Sequence, residues 1–299
     1  MVAGVAVGWG TIGVVVRQVD LPASVIVASR LWVGALTLGL VLFLRREGRP
    51  RWSGVDRIGR VRTMAAGLVL AAHWVALVAA LQRAPIGLVL LVTYLAPVGV
   101  AVLAPSTLGE KVDTVTVGAL AMAVAGVGLV AWPSSGSPEI GGLALAAVAG
   151  ALMVLLVLVD KSLSATYGAV PLAFTQFVVA GTVLVPVVAL AGWGSPRPAW
   201  LWLVVLGVVH TALANVLFLG ALARMPASRA GVLLYLEPAS AVAFGWLLLG
   251  ESPAPATAAG GALIVMAGVL VARSSASHAA PRAPGIPVDL EVEVLGVPR

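Results

Sequence analysis

The sequence predicts an all-α integral membrane protein with ten transmembrane helices, arranged as two inverted repeats of five helices each. Three observations support this: the composition, a series of apolar segments and a segment that occurs twice. The 299-residue chain is 61% hydrophobic and only 10% charged, and its mean hydropathy is +1.08. A soluble domain carries about 25% charged residues, so this composition is typical of a chain that lies in a bilayer.

The repeated segment occupies residues 80–111 and 221–252, which lie 141 positions apart. The first copy is ALQRAPIGLVLLVTYLAPVGVAVLAPSTLGEK and the second is ALARMPASRAGVLLYLEPASAVAFGWLLLGES. Ten of the 32 positions are identical without a gap, including a tyrosine, a leucine and a proline in the middle. A duplicated apolar unit with a proline at the matched position is typical of transporters built from repeats.

Ten apolar segments have nearly the length of about 20 residues that crosses a bilayer. They cover residues 2–17, 24–44, 63–82, 85–104, 114–132, 140–159, 170–191, 199–221, 227–249 and 256–272. The first begins near Met1 without a preceding basic region, so it is not predicted to be a cleaved signal peptide.

Charge in the loops predicts the orientation of the segments. The loop after the second segment holds seven arginines, and the positive-inside rule places it in the cytoplasm, with both termini on the same side. Tryptophans at the opposite segment ends agree, because indole rings favour the membrane interface. The arginines are Arg45, Arg46, Arg49, Arg51, Arg57, Arg60 and Arg62, and the tryptophans are Trp132, Trp193, Trp200, Trp202 and Trp246.

The boundary between the repeats is predicted at residues 133–142, so that one repeat covers 1–132 and the other 140–273. Because each repeat has five segments, the two have opposite orientations in the membrane. Repeats of this kind place a substrate site near the midplane between the halves. Residues 274–299 are rich in Ser, Ala and Pro and then mildly acidic, which predicts a disordered cytoplasmic tail.

Several functional classes are not indicated by the sequence. The net charge of +6 is concentrated in one loop, which argues against nucleic-acid binding, and the absence of cysteine excludes disulfides and thiolate metal sites. The chain has no HExxH motif, P-loop or metal-spaced His/Asp cluster. We therefore predict no enzyme activity, cofactor or metal. Glu237 is interpreted as the only carboxylate within the spans, so an intramembrane aspartyl protease is not indicated either.

Several motifs resemble the EamA-type members of the drug/metabolite transporter superfamily. They are RAPIG at 83–87, LGEK at 108–111, RMPASRAG at 224–231, LEPA at 236–239 and LLLGE at 247–251. Arg30 matches an arginine that these proteins carry early in helix 2, and Gln176 is its counterpart in the second repeat. The second half is most similar to amino-acid exporters of the homoserine/threonine type. The resemblance implies ten helices, two inverted halves and a central cavity that opens alternately to each side.

Glu237 is the first candidate for transport chemistry, because it lies mid-span immediately before Pro238. A buried carboxyl group can take up a proton near neutral pH, as proton coupling requires. The structural alternative is that Glu237 bonds the backbone at the Pro238 kink, or Ser240 one turn away. The counterpart of Glu237 in the first repeat is Ala96, so the carboxylate breaks the symmetry.

Pro97 and Pro238 are predicted to kink matched helices, and matched kinks indicate the binding site. Tyr94 and Tyr235 lie three residues before them, so each tyrosine shares a helix face with its proline. Their hydroxyls either face a cavity or bond a neighbouring carbonyl.

His73 and His210 lie mid-span in corresponding segments, and either can titrate near neutral pH or join two helices by a hydrogen bond. Thr211 and Asn215 share a helix face and either contact a polar substrate or hold helices together. Trp9 and Trp74 are mid-span, where they line a cavity or pack in the core.

Arg30 lies about two turns from the outer end of its segment, where snorkelling or a structural bond would account for it.

The function predicted from these features is a secondary transporter of the bacterial inner membrane that exports small metabolites, with amino acids favoured. Drug efflux, uptake and a non-transporting sensor or scaffold remain alternatives. Expected partners are a small-molecule substrate and the lipid bilayer, with a coupling proton and a homodimer left open.

Overall fold

A computed structural model describes residues 1–16, 18–19, 21–44, 57–81, 83–84, 89, 92–131, 140–192, 200–250 and 253–277. Within these ranges all regular structure is helical. The helices are α1 (Val2–Trp9), α2 (Ile12–Val16), α3 (Ala23–Leu44), α4 (Arg57–Leu81), α5 (Ala96–Leu108), α6 (Thr114–Ala131), α7 (Ile140–Tyr167), α8 (Ala169–Ala191), α9 (Trp200–Val205), a π-helical segment (Leu206–Leu213), α10 (Ala214–Leu222), α11 (Ala227–Leu234), α12 (Leu236–Leu249) and α13 (Pro255–Ser277).

Seven helical stretches among the described residues are long and apolar enough to cross a membrane: Ser24–Leu44, Arg57–Ala80, Ile140–Tyr167, Ala169–Leu190, Trp200–Leu222, Ala227–Leu248 and Pro255–Ser274. Two shorter apolar helices, Ala96–Leu108 and Thr114–Val130, accompany them. The chain is therefore a multi-pass membrane protein that is helical in its described residues. Many large apolar side chains point outward, as expected for helices that face lipid rather than water.

Three helices extend beyond their predicted ends. α4 begins at Arg57, so Arg57, Arg60 and Arg62 lie on exposed helix turns rather than in a loop. α7 continues to Tyr167, eight residues beyond the predicted end, and α13 continues to Ser277. The prediction of a tail starting at 274 is wrong for residues 274–277. Charged side chains mark where the hydrocarbon ends, but a helix can continue into the polar interface beyond it.

The first apolar segment is not one helix. α1 ends at Trp9, and a turn at Gly10 and Thr11 precedes α2. The N–H of Gly10 still bonds the carbonyls of Ala6 and Val7, and the Thr11 hydroxyl bonds the carbonyl of Gly8 at 2.7 Å. These bonds close the last turn of α1 and leave Thr11 at the break.

The bundle is held by close helix pairs, chiefly α6 with α13, α4 with α7 and α3 with α8. Its core contains many fully buried alanines together with Phe177, Leu31 and Tyr235. α6 and α13 approach most closely at two glycines: a Cβ added to Gly126 would lie 2.7 Å from the carbonyl oxygen of Gly260. Such small-residue contacts are a usual way for helices to associate in lipid.

Some predicted features lie outside the described residues. These are Arg45, Arg46, Arg49 and Arg51 of the basic loop, Trp132 and Trp193 of the tryptophan set, residues 85–87 of the RAPIG motif, most of the repeat boundary (133–139), Glu251 and the tail from 278 to 299. Of the described tryptophans, Trp200 and Trp246 are exposed and Trp202 is half-buried.

Candidate functional site: a central polar cavity

A cavity of about 260 Å³ lies inside the bundle between both halves of the chain. Nine of the ten cavity candidates from the sequence border it: Trp9, Arg30, His73, Trp74, Tyr94, His210, Thr211, Asn215 and Glu237. The remainder of its wall is mostly apolar and includes Leu31, Leu70, Phe177 and Phe218. A few polar groups in an apolar concavity are typical of small-molecule sites.

Arg30 is held deep in the bundle, with only 5% of its surface exposed. Its Nε donates a hydrogen bond of 2.8 Å to Thr211 Oγ1, and its guanidinium carbon lies 3.9 Å from the centroid of the Trp74 ring. Arg30 is therefore fixed by a structural bond and a cation–π contact rather than by snorkelling to the interface. Both contacts leave the guanidinium at the cavity wall.

The π-helical segment from Leu206 to Leu213 positions the partner of Arg30. Thr211 Oγ1 donates to the carbonyl of Leu206, five residues earlier, at 2.8 Å. The carbonyl of His210 accepts a 2.8 Å hydrogen bond from the Trp9 indole N–H. π-Helical turns are rare and occur frequently at functional sites. Here the wider turn presents both a side chain and a backbone carbonyl to other helices at the cavity.

His210 links the π-helical segment to the break between α1 and α2. Its Nε2 lies 2.7 Å from Thr11 Oγ1. The Thr11 hydroxyl also bonds the carbonyl of Gly8, and Nδ1 of His210 lies 3.3 Å from the carbonyl oxygen of Val205. His73 makes a different contact: its Nδ1 donates to the carbonyl of Ala149 at 2.8 Å and joins α4 to α7. Both histidines thus make interhelical hydrogen bonds and also border the cavity.

The two repeat-related tyrosines have different environments. The Tyr235 hydroxyl donates to the backbone carbonyl of Tyr94, and the two rings lie 5.9 Å apart. Tyr235 is fully buried and does not border the cavity. Tyr94 does border it, and its hydroxyl is hydrogen-bonded to the Glu237 carboxylate. Tyr235 therefore acts in packing, whereas Tyr94 orients the carboxylate.

Glu237 is half-buried because it faces the cavity. Its side chain interacts with the Tyr94 hydroxyl and with the charge of Arg30. Ser240 Oγ donates to the backbone carbonyl of Glu237 at 2.9 Å, so the serine does not bond the carboxylate. The carboxylate remains directed toward the cavity.

Each proline lies at the start of a helix rather than in the middle of one. α5 begins at Ala96 with Pro97 as its second residue, and α12 begins at Leu236 with Pro238 as its third. A proline in the first helical turn removes no intrahelical hydrogen bond. In both halves a turn comes just before, at Tyr94 and Leu95 in the first half and at Tyr235 in the second. Their role in transport stays a prediction.

Asp160 also borders the cavity, and the sequence analysis missed it. It is 8% exposed and lies on α7, and the Nε2 of Gln176 on α8 donates to its Oδ1. The interpretation of Glu237 as the only carboxylate within the spans is therefore wrong. Asp160 and Lys161 are adjacent in sequence, and two neighbouring charged residues are typical of a loop, so the predicted span ends before them. The helical spacing of Leu156, Asp160 and Leu163 would have indicated a buried face.

A cluster of four charged residues, Glu110, Asp113, Lys161 and Arg229, lies at the end of the bundle beyond Asp160. Glu110 accepts the backbone N–H of Ala227 at 2.6 Å and lies 3.6 Å from Lys161 Nζ. Lys161 Nζ also donates to backbone carbonyls of the α10–α11 connection. The cluster thus ties the motif that follows α5 in the first half to α7 and the start of α11 in the second.

Asp113 caps α6 and completes the charged cluster. Its Oδ1 accepts the N–H of Thr116 at 2.8 Å, and its Oδ2 pairs with Arg229 at 2.6 Å. The hydrogen bonds from Arg229 and Thr116 lower the pKa of Asp113 from 3.8 to about 2. Asp113 is therefore ionised throughout the physiological range, and it joins the two halves through its ion pair with Arg229. The loop charges in the sequence indicate that this side of the protein is basic, but they do not indicate that Asp113 pairs with Arg229.

Metal ligation has no support in the part of the chain that the structure describes, where no group of three or more His, Asp or Glu side chains could hold an ion. The cavity is therefore described by its hydrogen-bonding and charged groups, Arg30, Asp160 and Glu237, and by its aromatic wall.

Comparison with known proteins is consistent with this architecture. The EamA-like transporter family matches the chain twice, over residues 1–132 and 140–273. An uncharacterized transporter of Archaeoglobus fulgidus is 30% identical over 267 residues, which cover 89% of this chain and 93% of the relative. The uncharacterized transporter YxxF of Bacillus subtilis is 23% identical over 252 residues, which cover 82% of this chain and 79% of that one.

A solved crystal structure superposes with a TM-score of 0.79 at 18% identity, covering 91% of this chain and 96% of its own. At that identity the likeness supports the fold alone. The names of the two relatives give no substrate, so the similarity to amino-acid exporters stays a prediction. The two family matches and the 30% identical relative carry the assignment: this chain belongs to the EamA-like transporter family and is a membrane transporter.

Proposed function

We propose that the protein is a secondary transporter that exports small zwitterionic metabolites, amino acids first among them, through the central cavity by alternating access. The observation that carries the proposal is the presence of a guanidinium and a carboxylate, Arg30 and Glu237, on the wall of one cavity inside an apolar bundle. An α-amino acid carries the complementary pair of charges.

The polar groups of the cavity suit such a ligand. Arg30 uses Nε for Thr211 and keeps further N–H donors for a carboxylate. Glu237 can accept an ammonium group, with Tyr94 holding its orientation. Because charges are costly to bury unpaired, a zwitterion that satisfies both groups is favoured over an apolar solute of the same size. The aromatic rings of Trp9 and Trp74 would cover its side chain.

Alternating access requires two halves that move against each other. We propose that residues 1–132 and 140–273 are inverted five-helix repeats with ten transmembrane helices in total. The charged cluster around Lys161 supports this proposal, because it joins connections that the loop-charge pattern assigns to one side of the membrane. On this proposal the cluster lies at the cytoplasmic end in the bacterial inner membrane and closes it.

Transport can be tested with the purified protein in liposomes loaded with a panel of unlabelled amino acids. Counterflow of the matching labelled amino acid should exceed that of empty liposomes for at least one member. Arg30→Gln and Glu237→Gln should each abolish the excess, since each removes one charge contact with the ligand. The control is Lys111→Met, which changes an exposed side chain outside the cavity.

Absence of counterflow across the whole panel, with correctly folded protein, would refute amino-acid transport. Counterflow of cationic drugs instead would favour the efflux alternative. No flux of any solute would favour a sensor or scaffold.

Topology has its own test. A reporter fused after Ser277 should report the cytoplasm, and one inserted near residue 136, outside the described residues, should report the external side. The arginine-rich loop before α4 is the reason for this expectation. An external signal at Ser277 would contradict the inverted ten-helix arrangement without affecting the cavity.

A further inference from the structure

We propose that Asp160 is the proton-binding site that couples transport to the proton gradient, and that Glu237 serves the substrate instead. This inference rests on the proposed transport function. It concerns the residue that the sequence analysis missed, and it assigns separate roles to the two carboxylates that border the cavity.

Asp160 is buried and lacks a counter-charge among its described contacts. Its surface is 8% exposed, and the only polar group that bonds its carboxylate in the described structure is the neutral amide of Gln176. A buried carboxylate without a cationic partner is costly, and one neutral hydrogen bond offsets only part of that cost. Binding a proton removes the charge and supplies an O–H donor.

The charged groups on α7 itself are engaged elsewhere. Lys161 adjoins Asp160 in sequence but lies on another helix face, where its Nζ bonds the carbonyls of Leu222 and Met225 and pairs with Glu110. Tyr167, two turns further along the helix, is a phenol and carries no positive charge. Neither Lys161 nor Tyr167 neutralises Asp160.

The helices packed against α7 supply no counter-charge either. α5, α8 and α10 carry no ionisable side chain. On α11, Arg229 pairs with Asp113. On α4, His73 gives its Nδ1 proton to the carbonyl of Ala149, and the three arginines of the first turns, Arg57, Arg60 and Arg62, are exposed.

Glu237 differs from Asp160 in two respects: its side chain is less buried, and it has a charged neighbour. Its carboxylate is within reach of the charge of Arg30 and accepts a hydrogen bond from Tyr94. These two partners hold the carboxylate at the cavity wall, where it can bind a cationic group of the substrate. Asp160 borders the same cavity from α7, close in sequence to the charged cluster at the bundle end. A proton entering or leaving the cavity can thus reach it without displacing the Arg30–Glu237 pair.

The coupling step is a reversible proton transfer. The carboxylate takes one proton from water in the open cavity and becomes a neutral acid, with Gln176 Nε2 still donating to Oδ1. The proton returns to water when the cavity opens to the other side. No covalent bond to carbon or other co-reactant is involved, and one proton moves per cycle.

The site can be tested without knowing the substrate. Infrared difference spectra of the full-length protein in liposomes, recorded between mildly acidic and mildly alkaline buffer, should contain a C=O band of a protonated carboxyl group. Asp160→Asn should remove that band, whereas Asp160→Glu should retain it at a shifted position. Asp113→Asn is the control, because the low pKa of Asp113 keeps it ionised throughout this range.

Transport supplies the second measurement, with an amino acid that passes the counterflow test. For one proton per substrate, a gradient of about one pH unit supports accumulation of about tenfold. Asp160→Asn should lower this ratio to about one while counterflow stays within about twofold of wild type, since exchange needs no net proton movement. Glu237→Gln should instead lose counterflow.

Two results would overturn the proposal: an unchanged carboxyl band in Asp160→Asn, or wild-type accumulation by that variant. Accumulation driven by a sodium gradient alone would also overturn it. If Asp160→Asn fails to fold, Asp160→Glu decides, because it must keep both the band and the accumulation. If the wild-type protein transports nothing, the proposed function fails, while the infrared band still shows whether Asp160 binds a proton.

Discussion

Lys161 provides a sensitive test of how the two halves are joined. In Lys161→Met the side chain keeps its length and apolar stem but loses every hydrogen bond from Nζ. Two of these are short, 2.8 Å to the carbonyls of Leu222 and Met225, and the contacts with the carbonyl of Ala223 and with Glu110 are longer at 3.4 and 3.6 Å. The carbonyls belong to the end of α10 and to the connection before α11.

The expected loss in the free energy of unfolding follows from the two short hydrogen bonds. A hydrogen bond from a charged group contributes about 1.5–3 kcal/mol, and a carbonyl left without a partner loses part of that. Lys161 is 17% exposed in its side chain, so water can replace some of the lost contacts. We expect the free energy of unfolding to fall by about 2–4 kcal/mol. Equilibrium unfolding in mixed micelles, followed by circular dichroism, measures it.

Lys111→Met is the matched control, because it makes the same substitution on an exposed residue next to Glu110. Its effect should stay within about 0.5 kcal/mol. Combining Lys161→Met with Glu110→Gln should give a coupling energy of about 0.5–3 kcal/mol, because the two side chains share one network. Equal stability of the Lys161 and Lys111 variants would refute this account of the cluster.

Three further predictions follow from other contacts. The low pKa of Asp113 means that its ion pair with Arg229 stabilises the fold above about pH 4, and that this contribution is lost as pH falls from 3.8 through about 2; Asp113→Asn should flatten that part of the pH–stability curve. Pro97→Ala and Pro238→Ala together should lower counterflow at least several-fold at normal membrane abundance, because the turn before each proline adjoins residues of the cavity wall. Gly260→Leu should destabilise the α6–α13 contact by about 1–3 kcal/mol, since its added Cβ would lie 2.9 Å from the Cβ of Leu129.

Each of these has an opposing result. An unchanged acid slope in Asp113→Asn would remove the ion pair from the pH dependence. Normal counterflow in the double proline variant would remove both prolines from the mechanism. Wild-type stability of Gly260→Leu, with Gly261→Leu as the control at a position with no neighbour within 4 Å, would contradict the close approach of the two helices.

The sequence was informative about the cavity because a polar group is costly to expose to lipid. A polar side chain in an apolar segment must face protein or water, and this rule selected Arg30, His73, His210 and Glu237 before any contact was known. Their partners were not accessible in the same way. The bonds of Arg30 to Thr211 and of His73 to Ala149 join helices far apart in sequence, and periodicity does not encode such pairings.

The errors concern where the hydrocarbon ends. Charged residues limit an apolar segment in the sequence, so the predicted spans end at 159 and begin at 63, whereas α7 continues to Tyr167 and α4 begins at Arg57. Asp160 was lost as a result, although Leu156 and Leu163 on the same helix are buried. The break at Gly10 could not be predicted from the sequence. The hydrogen bonds that close the last turn of α1 and those of a continuous helix differ little in free energy. The π-helical segment depends on contacts with α1 and α3.

The π-helical segment makes the two halves unequal. Each of its turns takes in one residue more than an α-turn, and the corresponding helix α4 is α-helical along its whole length. Residues beyond the segment are therefore rotated relative to their counterparts in the first half. His210 borders the cavity, whereas the position that matches His73 in the repeat is Ala214. On the proposed alternating-access cycle, the substrate would therefore meet different donors in the two open states, and its affinity would differ between the two faces of the membrane.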